Sequence, residues 1–299
     1  MNLADDRRAI PWYLLFTWIA SSFCYFLIIK SAGTKAGGGA YVQMLMWCPA
    51  AGALLTCKRL GRPVASLGWK WGQTRYQVIS YLIPLAYSTI TYSIAWLTGI
   101  AAVNPLQTAA GFSDTYGLGP ISRGTGIALH FFVVATVGVI TNCATTLGEE
   151  IGWRGFLVPE LARRYSFTAT SVLSGAIWAA WHVPIIVFAG YNAGTGWFGL
   201  TVVSANMIGL CFVLTWLRLK SGSLWTAVIL HAASNHFIQH FFDPMTTYTG
   251  NAKYILGEFG IGFTLVVALL AAYFWSRRAE VEQDRRPSLS TTSAVANPR

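Results

Sequence analysis

Apolar residues in this chain gather into eight nearly unbroken runs, not the one-sided stripes of soluble helices or the alternation of half-buried strands. The runs cover about 11–29, 39–57, 76–99, 126–148, 168–189, 197–217, 223–242 and 254–275. At 1.5 Å per residue each can cross a hydrocarbon layer of about 30 Å. A span in lipid must satisfy its own backbone hydrogen bonds, so all eight are expected to be helices. The pattern therefore predicts an all-α, polytopic transmembrane helical bundle of about eight spans. Residues 1–278 form one membrane domain. Residues 279–299 are polar, lack aromatics and are expected to be a disordered cytoplasmic tail. The Gly-, Thr-, Ser- and Pro-rich stretch 100–125 reads as an external loop. One run is awkward. Apolar character resumes past residue 148, and a straight helix over 126–158 would be about 50 Å long, too long for the bilayer. Either the helix starts deeper or it bends near Gly148, Gly152 or Gly155.

Composition agrees with this pattern: 54% of the 299 residues are hydrophobic and only 11% charged. The net charge of +10 does not point to nucleic acid, because the basic residues flank apolar runs, where they set topology. With both termini cytoplasmic, the inside segments hold 17 of the 21 basic residues: Arg7, Arg8, Lys58, Arg59, Arg62, Lys70, Arg75, Arg154, Arg163, Arg164, Arg218, Lys220, Arg277, Arg278, Arg285, Arg286 and Arg299. The outside segments hold the other 4: Lys30, Lys35, Arg123 and Lys253. The first run is longer than a signal-peptide core and is expected to remain as a helix. The five cysteines form no C-x-x-C pair and read as small buried hydrophobes.

The chemistry lies where charge interrupts the apolar pattern. Gly148-Glu149-Glu150-Ile151-Gly152-Trp153-Arg154 places two carboxylates beside an apolar span. A charge at that depth costs about 2.5–3.5 kcal/mol, which makes it a functional candidate by default. Glu150 and Arg154 are four apart and can pair along one helix face. Glu149 points about 100° away and stays available as a base. The bland alternative is a solvated helix end at the cytoplasmic surface. His182 lies inside the fifth run, two residues before Pro184. His231 and Asn235 share a face of the seventh, where they can position water and donate to an oxyanion. The bland reading of these two is hydrogen-bond glue between helices. His130, His236 and His240 read as loop-proximal or interface residues. His182, His231 and Glu149 also make a possible Zn²⁺ ligand set with an open fourth position, although H-E-x-x-H is absent.

These motifs, Glu149-Glu150-x-x-x-Arg154-Gly155-Phe156-Leu157, then Trp178-x-x-x-His182, then His231-x-x-x-Asn235, resemble the CAAX prenyl protease and bacteriocin-processing (CPBP, or "Abi") family of intramembrane proteases. The resemblance covers about 140–240. It implies that 1–278 is a protease domain in which Glu149 activates water, Glu150 and Arg154 support it, His182 and His231 complete the site, and Asn235 stabilises the oxyanion. Where the second motif usually has Phe, this chain has Trp178. Where some members carry Asn, it has Ile186. Metalloprotease chemistry with Zn²⁺ and metal-free, glutamate-activated water both remain open. The expected substrate is a membrane-anchored or lipidated peptide, reached within the lipid bilayer of the plasma membrane from the cytoplasmic side. Two alternatives use the same cluster: an ion-coupled transporter, disfavoured by the lack of repeats, and a non-catalytic immunity or scaffold protein.

Overall fold

In the computed structural model, which describes residues 8–31 and 39–282, helices account for nearly all regular structure. They are α1 (Ala9–Lys30), α2 (Gly39–Arg59), α3 (Thr74–Leu97), α4 (Pro105–Tyr116), a long α5 (Arg123–Ala162), α6 (Phe167–Phe188), α7 (Gly196–Ser221), α8 (Trp225–His236), α9 (Ile261–Ser276) and α10 (Ala279–Glu282). A π turn over Phe237–Phe242 extends α8. The fold is a helical membrane bundle. Six helices (α1, α2, α3, α5, α6 and α7) are long and apolar enough by themselves to cross a membrane. The other two expected spans are helical but fall short of that: α9 has 16 residues, and α8 with its π turn carries Thr226, His231, Ser234, Asn235, His236, Gln239 and His240.

The long helix resolves the awkward fourth run without breaking. It stays continuous for 40 residues, about 60 Å. Two π turns interrupt its regularity, Val134–Gly138 and Ile151–Leu157. The second begins directly after Glu150 and contains Gly152 and Gly155, two of the glycines at which a bend was expected. Such single-turn π segments occur often at functional sites. Gly148 and Gly152 let α2 approach closely. A Cβ on Gly148 would lie 2.7 Å from the Met46 carbonyl oxygen, and one on Gly152 would lie 2.4 Å from the Pro49 Cβ. This is the small-residue spacing that brings membrane helices into contact.

Around this axis α1 packs on α2, α6 on α7, α7 on α9, and α8 on both α3 and α5. Residues 100–125 are more ordered than a loop. Ala102–Val103 pairs antiparallel with Thr246–Thr247, and α4 follows. The sequence did carry its signal: the Asn104 side chain caps the helix by accepting from the Gln107 amide, Pro105 stands at its first turn, and Gly117 closes it in the left-handed region. The tail also begins later than expected. In α10 Val281 is buried, and the Glu282 carboxylate accepts from the Phe167 amide at 2.9 Å. The rest of the expected tail, 283–299, lies outside the described residues, as do Arg7 and Lys35.

The charge split gives the orientation as a test. Reporter fusions or cysteine labels at positions 5, 115 and 290 are expected to read cytoplasmic, external and cytoplasmic. An external C-terminus would reverse the bundle.

Candidate active site

Glu149 and Glu150 end the regular part of α5 before its second π turn, and their side chains leave the helix in different directions. Glu150 is fully buried. Its Oε1 accepts from Arg154 NH1 at 2.8 Å and from His231 Nδ1 at 2.9 Å. The expected i,i+4 pair is therefore present, and it extends to a third group on α8. Arg154 is not at the membrane surface, as the topology count placed it, but is 1% exposed. Its NH2 donates to Cys211 Sγ at 3.1 Å, and its guanidinium lies 4.4 Å over the Trp178 ring. The solvated-helix-end reading of these three residues is therefore corrected: the ion pair sits in the bundle core, where burying charge requires such partners.

Glu149 is held differently. Its Oε2 accepts from Trp178 Nε1 at 2.8 Å and from Trp153 Nε1 at 3.2 Å. Its other oxygen makes no hydrogen bond to the described residues, and the residue lines a cavity of about 420 Å³. His182, His231 and Asn235 line the same cavity. The His182 Nδ1 contacts the Trp178 carbonyl oxygen at 2.9 Å. A carbonyl only accepts, so Nδ1 carries the proton and Nε2 keeps its lone pair. His231 Nδ1 likewise donates to the Glu150 carboxylate, leaving Nε2 on the opposite edge of its ring. Asn235 is half-buried and makes no protein hydrogen bond among the described residues. All six motif residues are thus brought to one region.

Trp178 is the centre of this arrangement. Its ring lies 5.7 Å from that of His182 and 5.4 Å from that of His231, both edge-on. It supports the Arg154 guanidinium, binds Glu149 through its N–H and holds His182 through its carbonyl. The sequence marks Trp178 only as an aromatic exchange. Its donor role was not read, and the signal was available, since only an indole among apolar aromatics has an N–H. Arg218 was also missed. Counted as a topology charge, it is largely buried, and its Nε donates at 2.8 Å to the Arg154 carbonyl inside the π turn.

His130 and His236 stand apart from the Glu149 cavity, whereas His240 lies on its rim as well as in a second one. That second cavity lies beside the first π turn, with the His236 and His240 rings 4.3 Å apart and His130 Nε2 2.8 Å from the His240 carbonyl. Ile186 is buried in the core. Among the described residues no three His, Cys, Asp or Glu side chains are grouped so as to hold an ion. Glu149 is turned to two indole donors. The exposed lining, Gly39, Gln43 and His240, belongs to the start of α2 and the end of α8. With the N-terminus inside, that end faces outward, so a cytoplasmic entrance requires the opposite orientation.

A helical membrane bundle with a buried carboxylate–imidazole–carboxamide site defines the class. Residues 127–237, which contain all six motif residues, match the family model described as type II CAAX prenyl endopeptidase, Rce1-like. The chain is also 30% identical over 129 residues to CAAX prenyl protease 2 of Methanococcus maripaludis, a stretch that is 41% of this chain and 44% of that relative. The resemblance read from the motifs is borne out over this core.

Removing either member of the buried pair strands the other. Glu150→Ala and Arg154→Ala are each expected to lower stability by about 3–5 kcal/mol, read as a drop in Tm of the purified protein. A wild-type Tm in both variants would remove the pair from its supporting role.

Proposed function

We propose that the chain is an intramembrane endopeptidase that hydrolyses a peptide bond in a membrane-anchored or lipidated substrate. One observation carries this reading: one oxygen of Glu149 is fixed by two indole donors, while the residue faces a cavity shared with His182, His231 and Asn235. Water on the free oxygen of Glu149 gives up a proton as it attacks the scissile carbonyl carbon. The His182 Nε2 lone pair orients that water. The oxyanion takes a hydrogen bond from the Asn235 carboxamide, worth about 10²–10³ in rate at such positions. Glu149 then passes its proton to the leaving amide nitrogen as the C–N bond breaks, so the base is regenerated. Glu150 and Arg154 hold His231 in place. The match to a CAAX prenyl endopeptidase family supports a peptidase and a substrate of this class.

Cleavage of anchored or lipidated peptides in liposomes tests the assignment. Glu149→Gln is expected to cut kcat by about 10²–10⁴ with an unchanged Tm, the range for loss of a general base. Wild-type turnover by that variant ends the role of Glu149. Activity is further expected to persist after exhaustive chelation. Loss that zinc alone restores would instead make the cluster a metal centre.

Trp178→Phe keeps a ring over Arg154 but removes the N–H to Glu149. A hydrogen bond to a charged group is worth about 1.5–3 kcal/mol, so kcat is expected to fall about tenfold or more, with KM little changed. An unaltered kcat would reduce Trp178 to a packing residue.

A further inference from the structure

The cavity has a second acidic end that the motifs do not include. Glu258 lies in the loop before α9, outside the residues that match the family model, and lines the same cavity as Glu149. Side chains from two other elements hold it: Oε1 accepts from Tyr191 OH at 2.7 Å and from Gln239 Nε2 at 3.3 Å. Its Oε2 accepts no hydrogen bond from the described residues. Beside it Asn206, 2% exposed, donates from Nδ2 to the Glu258 carbonyl at 2.8 Å. The Asn206 Oδ1 is buried without a donor. Among the described residues, the buried Asn206 Oδ1 and the half-buried Glu258 Oε2 are thus left without donors at one end of a cavity whose described lining contains no Lys or Arg. A buried acceptor without a donor carries a desolvation cost that a ligand N–H would relieve.

Charge and donor count narrow the occupant. A free peptide carboxylate would meet two acids and no cation here. An ammonium or guanidinium supplies three or five N–H donors and a positive charge. We propose that Glu258 and Asn206 form a cation-binding subsite that takes a Lys or Arg side chain of the substrate close to the scissile bond. The proposal rests on reading the cavity as a peptidase site. It places the substrate's C-terminal carboxylate outside the cavity.

Two measurements separate this subsite from that reading. The first needs no catalysis. Tm of the detergent-purified protein is recorded with decylammonium, decanol or decanoate. Decylammonium is expected to raise Tm, the other two not, and Glu258→Gln to abolish the difference. Equal shifts with decylammonium and decanol, or a decylammonium shift that survives Glu258→Gln, would overturn the subsite. Should the variant fail to fold, comparison of the three amphiphiles on the wild type still decides. The second uses anchored peptides that differ only by Lys, norleucine or Glu beside the cleaved bond. Wild type is expected to prefer Lys to norleucine about tenfold or more in kcat/KM, with Glu poorest, and the ratio should fall toward one in Glu258→Gln. Cleavage without any Lys preference refutes the subsite and keeps the peptidase. Selective decylammonium binding with no peptide cleaved keeps the subsite and refutes the peptidase.

Discussion

The ion pair of Glu150 with Arg154, closed by His231, is the constraint on which the rest of the interior depends. Two full charges away from water need partners with good geometry, and the bundle supplies them from four helices. The guanidinium comes from the same helix one turn on, the imidazole from α8, and the Cys211 sulfur and the Trp178 face from α7 and α6. Packing follows from this. The segment carrying both glutamates must come close to α2, hence Gly148 and Gly152 where a Cβ would collide with Met46, Trp47 or Pro49. The backbone must also turn Arg154 inward, and the carbonyl this leaves is taken up by Arg218.

Neutralising one carboxylate frees the other. Because Glu150 absorbs the local positive charge, Glu149 is bound only by neutral indole N–H groups. Hydrogen bonds from uncharged donors orient a carboxylate without cancelling its charge, which suits the proton-accepting role proposed for Glu149. Two adjacent, chemically identical side chains thus differ in role through the charge of their partners.

Much of this was legible from sequence for one reason: an apolar run makes any charge conspicuous. Glu149, Glu150, Arg154, His182 and His231 all interrupt or border such runs, and the helices of the two histidines lie close to the limits that hydrophobicity sets, whereas the helix of the glutamates runs 14 residues past its expected end at 148. What was illegible is what hydrophobicity does not encode. Trp153 and Trp178 count as apolar, yet each acts here through an N–H. Arg218 looks like every other basic residue at a helix end until its burial is known. Glu258 is a lone acid in a Gly-rich turn, and only the folding of Tyr191, Gln239 and Asn206 around it distinguishes it. The π turns leave no periodic trace, because a single wide turn shifts the phase too briefly to register.

That wide turn has an architectural consequence. A π segment accommodates an extra residue relative to regular helix, so Ile151–Leu157 works as a phase adjuster between two anchored blocks. Upstream, the phase is fixed by Glu149 and Glu150 facing the interior. Downstream, Glu160 fixes it through Arg62, which lies beyond the end of α2, at 2.9 Å. Inserting a further residue between the blocks without widening the helix again would rotate one block against the other by about 100°, so that only one of them could keep its partners. An added residue in this stretch would thus be felt at Glu160 and Arg62, well beyond the side chains it touches.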